Sequence, residues 1–154
     1  MLKFPIRSTF VALLTGVIMM ATNANADAVK VESKYNVDQS VMRLKGAVEK
    51  AGAKVFTEIN FAAGAASVGE TLRPTTVVLF GSPKIGSSAF QAGQTIGLYL
   101  PLRVLAYEDA TGKTWLMYND PAEAAAAHGI APDHPAIKKM QGALKKMTSL
   151  ASGS

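Results

Sequence analysis

The 154-residue chain has no cysteine. That absence excludes disulfides, catalytic thiols and thiolate-bound metals, and also a lipid-anchored lipoprotein, because no cysteine follows the apolar N-terminal run. Histidine is nearly absent too, with only His128 and His134, and aromatic residues make up 7% of the chain. The longest apolar run, Phe10 to Ala21, is 12 residues, short of the roughly 20 needed to span a bilayer. There is no strong basic stripe with interleaved aromatics, so nucleic acid is not an expected partner. Neither an internal repeat nor a low-complexity linker is visible after residue 26.

What is present begins with an export signal. Lys3 and Arg7 precede the run, and Ala24-Asn25-Ala26 follows it with small residues at the positions a signal peptidase reads. The pattern predicts a secretory signal peptide over residues 1–26, cleaved before Asp27, and a periplasmic or secreted protein without a stable membrane anchor. Removing 26 of 154 residues leaves 128, enough for one domain with its own core. Lys3 and Arg7 leave with the leader, so the net charge of +5 falls to +3. Lys138, Lys139, Lys145 and Lys146 fall at helical spacing opposite an apolar stripe, the pattern of a solvated helix face.

Within residues 27–154 the periodicity changes several times. Val29 to Tyr35 alternates as a half-buried strand. Val37, Val41, Leu44 and Val48 make one helical stripe, with Asp38 as the expected cap and Gly52 as the stop. Strands are expected over Lys54 to Phe61, Thr76 to Phe80 and Leu102 to Glu108. A return strand over Lys113 to Tyr118 follows the turn at Asp109 to Gly112. A short helix or turn is expected over Ala62 to Val68 and a two-turn helix over Ser87 to Gln94. Asp120-Pro121 starts another helix, which Gly129 stops. Asp133 and Pro135 start the last, with Ile137, Met140, Leu144 and Met147 on its buried stripe. The order predicts an α+β fold: a two-layer sandwich of one mostly antiparallel sheet with helices packed on one face.

Four blocks in this order carry a family resemblance: Gly69 to Pro74, Leu79 to Gly86, Leu100 to Leu105, and Trp115 through Tyr118-Asn119-Asp120-Pro121. Together they resemble the domain of unknown function family 302 (DUF 302) across nearly all of residues 27–154. The resemblance implies a compact two-layer α+β domain, often a homodimer, with no established reaction.

The segment Gly81-Ser82-Pro83-Lys84-Ile85-Gly86-Ser87-Ser88 follows an apolar strand and approaches a phosphate-binding P-loop. It departs from one where it matters. Ser87 stands where the phosphate-reaching lysine belongs, Lys84 lies inside the loop, and Pro83 removes a backbone N–H. No nucleotide is expected. The segment reads as a tight strand-to-helix turn whose glycines supply unusual φ. The functional alternative is a site for a small polar or anionic ligand, built from Ser82, Lys84, Ser87 and Ser88, with Arg73 and Asn119 at a rim.

Other chemistry is weaker. His128 and His134, with Met117, Met140 and Met147, are the ingredients of a periplasmic His/Met copper carrier. Their spacing matches no metal signature, and the methionines fit a core stripe, so no metal ligands and no cofactor are assigned. Glu108 with Asp109, and Asp120 with Glu123, are carboxylate pairs. Asp109 suits a turn and Asp120 a cap. No catalytic residue is assigned, and a small hydrolase or transferase using Glu108, Asp120 or His128 stands as the alternative. The reading is an exported, non-catalytic binding or interaction module.

Overall fold

The computed structural model describes residues 28–154. The expected leader and its cleavage site lie outside them. The chain runs β1 (Ala28–Ser33), α1 (Val37–Lys50), β2 (Lys54–Asn60), α2 (Phe61–Ala66), β3 (Thr75–Gly81) and α3 (Pro83–Ala92), then a 3-10 turn (Gln94–Leu98). It continues through β4 (Leu102–Glu108), β5 (Thr114–Asn119), α4 (Pro121–Ala127) and α5 (Pro135–Ser152). The five strands form one sheet in the order β1-β5-β4-β3-β2, with every neighbouring pair antiparallel. This is the α+β sandwich the sequence pattern predicts.

Alternation along the strands decides which side chains meet the helices. Val78, Phe80, Val104, Ala106 and Leu116 point into the core and are at most 1% exposed. They meet Leu44 and Val48 of α1 and Ile137 and Leu144 of α5, also at most 1% exposed. α5 packs against α1, α3 and α4, so these four helices share one face of the sheet. The register aligns Ile59, Val77, Leu105 and Met117 in a row across the opposite face. There Lys30 lies over the Trp115 ring, 3.9 Å from its centroid, so a charged stem screens part of this apolar surface.

Two caps and the start of α3 differ from expectation, the caps because a neighbouring residue makes the bond. Asn36, not Asp38, caps α1: its Oδ1 accepts from the Gln39 N–H at 2.9 Å. Asp38 instead supplies negative charge to the first turn. His134, not Asp133, caps α5, with Nδ1 accepting from the Ala136 N–H at 3.3 Å. Finally, α3 starts at Pro83 rather than Ser87. Proline is suited to a first helical turn, where its missing N–H would have no intrahelical partner.

Candidate binding cleft

The early start of α3 changes the meaning of the glycine-rich segment. Most of it is helix. Gly86 lies inside α3, and neither Gly81 nor Gly86 has positive φ. The expectation of a turn needing unusual glycine conformations is therefore corrected at both positions. What Gly81 provides is room: a Cβ there would lie 3.0 Å from Cε2 of Phe56. Phe56 comes close because β2 bulges. Val55 pairs with Phe80 and Thr57 with Leu79, leaving Phe56 as the extra residue. A bulge re-aims the side chain it carries, and this one turns a phenyl ring toward the end of β3.

Between Phe56, α3 and α5 lies an open cleft of about 520 Å³. Its floor is Phe80 and Leu102 from the sheet. One wall is α3, through Ile85, Gly86 and Phe90, and the other is α5, through Met140, Ala143 and Met147. Leu100, Pro101, Ala51 and Ala53 complete the apolar lining. Of the residues of α3, only Ala89 is buried. The helix therefore leans away from the sheet rather than sealing it. The only side-chain polar atoms in the lining are the hydroxyls of Ser82 and Ser87; no Asp, Glu, His, Lys or Arg lines the cleft.

The six residues expected to form a polar ligand site do not all converge. Ser82 and Ser87 line the cleft, and the Ser82 side chain makes no capping bond to α3. Lys84 and Ser88 are exposed on α3. Arg73 is engaged elsewhere, its Nε donating to the Glu108 carbonyl at 3.2 Å. Asn119 is exposed at the end of β5, where its carbonyl accepts from the Tyr99 hydroxyl at 2.8 Å. Burial pushes that Tyr99 hydroxyl up to about 12.

The groups considered for catalysis or metal binding have local structural work. Asp109 accepts from the Thr111 hydroxyl at 2.7 Å and from the Trp115 indole N–H at 2.7 Å. These bonds, led by the Thr111 hydroxyl, hold its carboxyl well below the usual range. Asp120 caps α4 through the Ala122 N–H at 2.8 Å, and accepts from Gln141 of α5 at 2.8 Å. His128 ends α4, with Nδ1 3.2 Å from the Thr95 hydroxyl. Met140 and Met147 are buried on the cleft wall. Among the described residues no three His, Asp or Glu side chains group as metal ligands would.

What sequence reasoning missed is the apolar lining. One signal was available: Val55 and Phe56 are consecutive apolar residues in an otherwise alternating strand, the mark of a bulge. Met140 and Met147 of α5 fill the core, as their stripe predicts, and line the cleft as well.

Comparison with known proteins agrees with the fold. The family model "Domain of unknown function DUF302" matches residues 29–147. A solved structure, described as an uncharacterized conserved DUF302 protein from Bacillus stearothermophilus, superposes with a TM-score of 0.66 at 15% identity, covering 82% of this chain and 95% of that one. Two curated relatives carry the name "Fluoride-specific ion channel FluC 1", one from Brucella suis and one from Brucella abortus. Each is 40% identical over 136 residues, which is 87% of this chain. The match spans about half of each relative, 53% and 50%. No helix among the described residues here is long and apolar enough to cross a membrane.

Proposed function

The chain belongs to the DUF302 family, whose function is unknown, and from the cleft it carries we propose that it is an exported, non-catalytic binding module for a small apolar or amphipathic molecule. One observation carries this reading. A cleft of about 520 Å³ is lined by aromatic, aliphatic and thioether side chains, with two serine hydroxyls and no ionisable group. That volume lies within the roughly 300–1,000 Å³ of small-molecule sites, which are lined mostly by apolar groups with a few polar ones. An acid–base enzyme would need titratable groups converging where substrate sits, and the candidates Glu108, Asp120 and His128 are not among the lining residues. The methionines suit a site that must adapt its shape, since a thioether chain repacks easily. Export rests on the N-terminal charge, apolar run and Ala-x-Ala pattern.

The partner most compatible with the fold is a second copy. The row Ile59, Val77, Leu105 and Met117 lies on the face of the sheet away from α1, α3, α4 and α5, a surface suited to packing against a sheet like itself. Met117→Lys would then convert a dimer to a monomer in analytical ultracentrifugation, whereas a monomeric wild type would remove this part of the proposal.

The test of the binding function is titration with N-phenyl-1-naphthylamine, a neutral apolar fluorophore. The expected result is saturable binding at one site per chain, abolished by Ala143→Trp, which fills the cleft. Absence of saturable binding to the wild type would refute the reading.

A further inference from the structure

We propose that the ligand of the cleft is an anionic amphiphile, with its apolar tail in the cleft and its negatively charged head among the lysines around it. This rests on the reading that the cleft binds a small molecule. The walls supply the tail site: Phe56, Phe80, Phe90, Met140 and Met147 present carbon and sulfur, not charge.

The rim supplies the head site. Lys50, Lys54, Lys84, Lys139 and Lys146 each stand one position along the chain from a residue that lines the cleft. Consecutive Cα atoms are about 3.8 Å apart, so each lysine is rooted beside the cavity. They come from the end of α1, the start of β2, α3 and α5, four elements that each border the cleft or adjoin a residue that does. All five are exposed. None is in an ion pair: the salt bridges among the described residues are Lys45–Glu58 and Lys113–Glu32. No Asp or Glu stands next in the chain to any lining residue. The remaining cation so placed, Arg103, is bound to the Tyr99 carbonyl at 2.9 Å. Five exposed lysines rooted beside an apolar cleft, with no carboxylate at the same positions, lower the energy of an anionic head near its mouth and disfavour a cationic one. A simple solvated surface would also be rich in lysine, but would mix in carboxylates at the same positions.

The test uses decanoate and decan-1-ol, which share a tail and differ in the charge of the head at pH 7, each displacing N-phenyl-1-naphthylamine from the intact protein. At low ionic strength decanoate is expected to displace the probe at about one-fifth the concentration of decan-1-ol or lower, the scale of one favourable ion pair. In 0.5 M salt the advantage should shrink as screening grows. In Lys54→Ala/Lys84→Ala/Lys146→Ala it should fall toward one while decan-1-ol displacement stays unchanged. Equal displacement by both compounds in the wild type, or an advantage that survives high salt, would overturn the anionic head while leaving an apolar site standing. Failure of the probe to bind at all would instead overturn the binding reading beneath it.

Discussion

The middle and the end of the helix layer use the same elements and come to opposite results. At the middle, α1 and α5 lie over β3, β4 and β5, and Leu44, Val78, Val104, Ile137 and Leu144 are at most 1% exposed. At the end, α5 faces α3 across an open cleft, and Phe56 and Phe90 remain 52% and 41% exposed. Both regions are apolar. They differ in what closes them. Two long helices, of 14 and 18 residues, seal the core, whereas a ten-residue helix with only Ala89 buried faces α5 across the opening. An apolar stripe is therefore a statement about what a helix avoids, not about whether anything covers it. On α5 all four of Ile137, Met140, Leu144 and Met147 are buried in the core, but only Met140 and Met147 also border the cleft.

That contrast makes its strongest prediction in the sealed region. Leu44→Ala should destabilise the protein by about 2–5 kcal/mol in urea unfolding, because the surroundings cannot collapse around the lost atoms. A cost below about 1 kcal/mol would mean that α1 is not packed as described. A sharper comparison lies within α5. Met147→Ala should cost about 2 kcal/mol, the low end for a buried methionine and less than Leu144→Ala in the same measurement, because solvent and neighbouring side chains can enter the space it leaves from the cleft side. Equal costs would mean that the cleft side offers Met147 no more freedom to relax than the sealed side offers Leu144.

Gly86 reverses the sign. It sits inside α3 with positive φ absent, and an added Cβ would meet no atom within 4 Å. Gly86→Ala should stabilise by about 0.5–1 kcal/mol through helix propensity alone; a loss of stability would restore the glycine-requiring turn that the segment resembles in sequence. The smallest effect belongs to Lys84. Lys84→Ala should change unfolding free energy by less than about 0.5 kcal/mol, since the side chain is exposed and makes no ion pair among the described residues. A larger loss would give it a structural role.

Much of the fold was legible because periodicity reports burial directly. Val41, Leu44 and Val48 recur at helical steps, and Trp115/Met117 and Leu116/Tyr118 separate onto two faces of β5 as alternation requires. Caps were legible where one residue had the geometry to itself, as at Asp120, and were misplaced by one or two positions where two candidates stood together, as at Asn36 and Asp38. The cleft was not legible. Its existence depends on how α3 meets α5 and the bulged Phe56, which no residue in Gly81 to Ser88 encodes on its own. The polar residues of that segment point to a polar site, whereas the cavity is made by residues such as Phe56, Leu100 and Met140, which are far apart in the chain and look like ordinary core. Only the bulge at Phe56 marks one of them in advance.

The central claim is that the cleft, and not the opposite face of the sheet, is where a small molecule binds. Amide chemical shifts of the isotopically labelled protein, followed while decanoate is added, test it directly. The account predicts saturating shifts concentrated in Ser82 to Phe90, Leu100 to Leu102 and Met140 to Met147, the segments that line the cleft. Shifts confined to Leu105, Trp115 and Met117 on the opposite face, or no saturating shifts at all, would contradict it.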